Sequence, residues 1–135
     1  MAGLQQELAV FVAPEDPVKL TRLTVTNTTE TVRRVSVFGY VEWWLGAPRQ
    51  GESRHVVTEM DGTSVMLARN PYNAEFAGRV AFWRATETPR SHTGDRAEFV
   101  GRNRTLGAPA ALFRDRLAGR TGGGLDPCGA LQLIL

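Results

Sequence analysis

The sequence predicts an all-β fold, and three observations carry that prediction. Apolar residues recur with a period of two through the first two thirds of the chain. β-Branched and aromatic side chains cluster in runs of strand length, and Pro, Gly, Asn and Asp punctuate those runs. Length and composition bound the rest: 135 residues make about one domain, 1–135, with room for one core and none for a large barrel enzyme. Sixteen basic against fourteen acidic residues give a net charge of +2, which marks no nucleic-acid or membrane partner. At 42% hydrophobic and 22% charged, the chain carries enough apolar side chain to fold.

The elements follow in order. Glu7 to Ala13 reads as a first strand with apolar residues on both faces, stopped by Pro14-Glu15-Asp16-Pro17. In Val18 to Asn27, Val18 and Leu20 stand in one phase and Leu23 and Val25 in the other, which predicts a β-bulge near Thr21-Arg22. Asn27-Thr28-Thr29-Glu30 supplies a turn. Thr31 to Leu45 is the longest strand expected, with Val35, Val37, Val41, Trp43 and Leu45 on one face and Phe38, Tyr40 and Trp44 on the other. Gly46 to Gly51 breaks the chain. Val56 to Met60 and Val65 to Ala68 flank Asp61-Gly62, which predicts a hairpin with a two-residue turn.

Asn70-Pro71-Tyr72-Asn73 reads as a turn, and Arg79 to Thr86 as a further strand. From Glu87 to Gly129 the period fades into one long loop, apart from a short helix capped by Asp95, boxed by Glu98 and stopped by Gly101. A loop of that length is either functional or packed against something outside itself. Ala130 to Leu135 makes a final strand, and an apolar strand ending at the last residue suggests a polypeptide cut from a longer one.

Several constellations invite a chemical reading. Trp43 and Trp44 are neighbours in a strand and point to opposite faces, so Trp43 fills the core while Trp44 meets solvent, a loop or a ligand. Trp43, Trp44, Trp83 and Tyr72 are candidates for a sugar platform, because the apolar face of a pyranose stacks on an aromatic ring, with core filling as the competing role. Arg69-Asn70-Pro71-Tyr72-Asn73, and Asp95-Arg96 with Arg102-Asn103, combine guanidinium, amide and carboxylate groups in turns. Such sets grip sugar hydroxyls, or they pin a loop whose backbone needs partners. The candidate carbohydrate-binding residues are therefore Trp44, Arg69, Asn70, Tyr72, Asp95, Arg96, Arg102 and Asn103.

No catalytic residue is expected. Glu42, Glu59, Asp95, Glu98 and Asp126 each have a structural explanation such as a cap, a turn or an arginine partner. His55 and His92 lie far apart with no second ligand at metal spacing, and Gly122-Gly123-Gly124 lacks the Gly-Lys-Ser/Thr ending of a phosphate loop. Neither metal nor cofactor is expected. Cys128, the single cysteine, makes no internal disulfide and reads as a small buried residue.

Five segments in register resemble the β-sandwich region of the cellobiose phosphorylase and cyclic β-1,2-glucan synthase family, formerly called glycosyltransferase family 36. They are Asp16-Pro17-Val18-Lys19-Leu20 through Thr26-Asn27; Gly39-Tyr40-Val41-Glu42-Trp43; Ala68-Arg69-Asn70-Pro71-Tyr72-Asn73 with Phe76-Ala77; Thr93-Gly94-Asp95-Arg96 through Phe99-Val100-Gly101-Arg102-Asn103; and Leu125-Asp126-Pro127-Cys128-Gly129-Ala130-Leu131-Gln132. The last two are most similar to the cyclic glucan synthase branch. Arg104 departs from the pattern, standing where a glycine is common.

The resemblance implies an antiparallel β-sandwich that is part of a galactose-mutarotase-like supersandwich. In the family this precedes a helical barrel that carries the general acid and the phosphate site. The chain is then expected to be a non-catalytic module of a β-glucan phosphorylase or cyclic β-1,2-glucan synthase, with a free-standing carbohydrate-binding module as the alternative. Expected partners are the helical-barrel catalytic domain, a β-glucan or other carbohydrate, and a second copy in a homodimer through a sheet edge or sandwich face. No apolar run approaches the roughly 20 residues of a membrane span, and Met1 to Glu7 lacks the features of a signal peptide. The default location is cytoplasmic, with the parent protein there or at the inner membrane.

Overall fold

The computed structural model describes residues 3–46, 52–72, 74–75 and 77–135. The chain divides into two compact units, one ending at Arg34 and one spanning Val35–Leu135. Most of the break expected at Gly46–Gly51, together with Asn73 and Phe76, lies outside the described residues.

The first unit is an antiparallel hairpin of β1 (Leu4–Val12) and β2 (Lys19–Asn27). Its register runs without interruption from Leu4↔Asn27 to Val12↔Lys19, so the bulge expected at Thr21-Arg22 is absent. The continuous register puts Leu8 opposite Leu23 and Val10 opposite Thr21, on the same face as Val12. The change of phase in β2 is a change of apolar face along a regular strand: Leu20 pairs with Phe11 on the other side. The turn at Asn27 is held by its side chain, which donates to the Thr31 carbonyl at 2.7 Å and accepts from the Thr29 amide and hydroxyl.

In the second unit, β3 (Ser36–Glu42), β7 (Ser91–Asp95) and β8 (Pro127–Ile134) form one sheet in the order β3-β8-β7. β4 (Val57–Asp61), β5 (Val65–Arg69) and β6 (Ala81–Arg84) form the other in sequence order. All pairings are antiparallel. Trp43, Val56, Met66, Ala68 and Leu131 are the buried centre of one cluster, with Val41, Met60, Ala81 and Trp83 packed around them, so the two sheets share an apolar layer.

The opposite face of the β3-β8-β7 sheet is covered as well. Phe38 and Tyr40 pack there against Phe99, Val100, Ala111 and Leu117, with the Tyr40 and Phe99 rings stacked at 4.7 Å. β8 therefore lies between two strands and under two layers, and its first six residues are all buried. Cys128 sits in this cluster, fully buried, and burial followed by the nearby Asp95 charge pushes its thiol up to about 12. The expectation of a small buried residue holds.

Three further expectations are corrected. Regular pairing in β3 covers Ser36–Glu42 rather than Thr31 to Leu45, although Trp43 and Leu45 still point into the shared layer. The Asp61–Val65 pair leaves three loop residues, Gly62-Thr63-Ser64, with Gly62 at φ +64°, so the turn is longer by one than predicted. The long loop contains β7 and a 3₁₀ turn at Ala110–Phe113 besides the expected helix. Period-two reading missed β7 because Ser91-His92-Thr93-Gly94-Asp95 has no apolar residue; Ser91 is satisfied by partners distant in the chain, Gln132 and the Leu117 amide.

α1 (Arg96–Val100) begins as predicted, with the Asp95 carboxylate accepting from the Ala97 amide at 3.0 Å, and stops at Gly101 with φ +86°. Glu98 does not close a capping box. It accepts instead from the Ala118 amide at 3.0 Å and from Arg114 at 3.2 Å, pinning the following loop. That loop then straps both sheets: Gly119 donates to His92, Gly94 donates to Arg120, and Thr58 and Gly122 exchange backbone hydrogen bonds. The outer edges of β7 and β4 are thereby occupied. Arg104 needs no left-handed backbone, since among the described residues every positive φ belongs to a glycine. Among the described residues no helix is long and apolar enough to cross a membrane.

Candidate functional site

The candidate residues fall into two groups. The first lies where the chain leaves β3 and where it leaves β5. Trp43 is 8% exposed and its neighbour Trp44 is 74% exposed, the division that alternation requires. Leu45 returns to the core, and its carbonyl accepts from the Asn70 side-chain amide at 2.7 Å. Asn70 is buried, and its Oδ1 accepts from the Tyr72 amide at 3.2 Å. One amide thus ties the end of β3 to the turn after β5. Tyr72 is 71% exposed, and its ring stacks on His55 with centroids 4.1 Å apart and planes 13° from parallel. Trp44, Leu45, Asn70, Arg79, Val80 and Ala81 line a surface groove of about 270 Å³. Arg69 points to Glu59 across the β4–β5 pair and forms an ion pair with it.

The second group surrounds α1. Arg96 donates to Glu42 at 3.0 Å and lies 3.5 Å from Asp126. The Tyr40 hydroxyl also donates to Glu42, at 2.8 Å. These two donors, Tyr40 first and Arg96 second, hold the Glu42 carboxyl below the usual carboxylate range. Burial and the same hydrogen bond push the Tyr40 phenol up. Asp95 is buried, caps α1 and accepts from Arg120 at 3.0 Å. Arg102 and Asn103 stand exposed in the turn after Gly101.

Chemically the groups differ. A general acid needs its carboxyl pKa raised towards neutrality, and Glu42 is shifted the other way. Among the described residues no three His, Cys, Asp or Glu side chains are placed to hold a metal ion. The first group offers a flat aromatic surface beside a shallow groove, which suits a ring stacked face-on. Sequence reading missed His55 as the partner of Tyr72. The signal was the hairpin register: Val57↔Arg69, continued outward by two positions, sets His55 opposite Pro71. The roles of Glu42 and Arg120 were hidden because their ion-pair partners, Arg96 and Asp95, lie on other elements.

Two antiparallel sheets over a shared apolar layer, with a loop-and-helix cover and an aromatic-edged groove, define a β-sandwich domain of the supersandwich kind. The chain belongs to the glycosyl hydrolase 94 family, matching that family's description "Glycosyl hydrolase 94, supersandwich domain" over residues 1–135. It is similar to the cyclic beta-(1,2)-glucan synthase NdvB of Rhizobium meliloti (strain 1021), at 37% identity over 117 residues. That alignment covers 85% of this chain and 4% of the relative, so the chain spans only a small part of that protein's length.

Proposed function

We propose that this chain is a non-catalytic β-sandwich module of a β-glucan phosphorylase or cyclic β-1,2-glucan synthase, with its chemistry supplied by a helical-barrel domain of the same enzyme. One observation supports this reading above the others. Five carboxylates that could be read as catalytic each face an arginine: Glu42 and Asp126 share Arg96, Glu59 meets Arg69, Asp95 meets Arg120 and Glu98 meets Arg114. Glycoside cleavage needs a carboxyl group free to reach the bond, and each of these is engaged by a guanidinium. These acids fasten loops to the sandwich. A second reading, a free-standing carbohydrate-binding module, draws on the exposure of Trp44. A cytoplasmic location and a homodimer remain part of the proposal.

The test is an assay of the purified chain with cellobiose or a β-1,2-glucan in the presence of inorganic phosphate. No sugar phosphate and no transfer product is expected. Turnover that survives purification to homogeneity overturns the scaffold reading.

A further inference from the structure

Trp44 and Tyr72 are both large rings left more than two-thirds exposed, and a single buried amide holds the backbone of Tyr72 and that of Leu45, the residue after Trp44. Exposure of one apolar ring is ordinary on a protein surface. Two such rings, with their segments joined through Asn70, are a less ordinary arrangement. Asn70 is 2% exposed, donates to the residue after Trp44 and accepts from the amide of Tyr72, so neither segment shifts without breaking a buried hydrogen bond. The Tyr72 ring has one face stacked on His55, and the residue remains 71% exposed. Val80, Ala81 and Arg79 line the groove beside Trp44, so apolar and basic side chains share its wall.

We propose that Trp44, Tyr72 and the groove between Asn70 and Arg79 bind a β-linked glucan, with the Trp44 indole stacking on a pyranose ring and Tyr72 contacting a second sugar unit. The assignment rests on the scaffold reading above for its substrate class, and deepens it by giving the module a surface for the polysaccharide. A glucose unit has an apolar face of C–H groups and an equatorial rim of hydroxyls. An indole meets the face, and the guanidinium and imidazole groups meet the rim. The ligand is uncharged, which agrees with a site whose nearby ion pair, Arg69 with Glu59, is already neutralised.

The experiment titrates the full 135-residue chain with a linear β-1,2-linked gluco-oligosaccharide, following acrylamide quenching of tryptophan fluorescence. Trp43 is buried and Trp83 is partly buried against the shared apolar layer, so quenching reports chiefly on Trp44. The expected result is saturable protection from quenching. Because Trp44→Ala removes the reporter, its affinity is read by calorimetry, and a loss of about tenfold or more is expected, with a smaller loss in Tyr72→Ala. Trp44→Phe should retain part of the affinity, and Arg116→Ala, an exposed side chain outside the candidate residues, all of it. Unchanged thermal midpoints separate these effects from unfolding, which is a fair demand of exposed side chains. Absence of saturable binding, equal affinity in Trp44→Ala, or equal affinity for an α-1,4-linked glucan overturns the proposal. Those outcomes leave the scaffold reading standing, whereas turnover by the chain removes that reading and leaves the platform.

Discussion

Trp83 lies directly over Gly39: a methyl group built on Gly39 would sit 2.7 Å from the Cζ2 atom of the indole. Gly39 is on β3 and Trp83 on β6, so the contact crosses the layer shared by the two sheets. The backbone of Gly39 has no positive φ, and the need for glycine here is one of space alone. Gly129, opposite Val41 on the adjacent strand β8, meets Trp43 in the same way, at 2.8 Å.

Gly39→Ala should therefore destabilise the chain by about 1–3 kcal/mol, the usual cost of overpacking against a rigid ring. Urea unfolding measures it. Trp83→Leu in the Gly39→Ala background should restore part of the loss, and a double-mutant cycle showing no coupling between the two positions would contradict the packing described.

Glu98 holds the loop that straps the sheets, through the Ala118 amide and Arg114. Glu98→Ala should free this segment while the sheets persist. Limited trypsin digestion reads the effect, with cleavage after Arg114 and Arg116 several-fold faster than in the parent chain and far-UV circular dichroism retained. Unchanged cleavage would show that the loop is held by other contacts.

His92 supplies a pH dependence. Burial lowers its pKa below the ordinary 6.5, and the Glu98 charge offsets this only in part. The folded chain then binds this proton less readily than the unfolded chain. Stability from this residue is complete above pH 6.5 and is lost as pH falls from there towards the lower folded value. Glu42 acts in the same direction at more acid pH, where its depressed carboxyl is finally protonated. Unfolding free energies at pH 7 and pH 5.5 should differ more in the parent chain than in His92→Gln, and an equal difference would remove His92 as the cause.

Much of the fold was legible. The alternation of Val41 and Trp43 against Tyr40 and Trp44 separated the two faces of the segment from β3 onwards, because neighbours in an extended chain must point apart. Asp95 and Gly101 marked both ends of α1, since a cap is a local interaction within a few residues. β7 was not legible, because its polar side chains are compensated by Gln132 and Leu117, more than 20 positions away. Nor was the role of Glu98, which local pattern assigned to a capping box and which packing sent to Ala118.

The candidate site divides along the same line. That Trp43 and Trp44 part company and that Asn70-Pro71 turns the chain follow from short-range covalent geometry and residue chemistry. That Asn70 reaches Leu45, that His55 lies on Tyr72, and that β8 runs between β3 and β7 were decided only by the packed structure. Those contacts join residues far apart in the chain, and a choice among many possible distant partners is made by what buries apolar surface while satisfying every enclosed polar group.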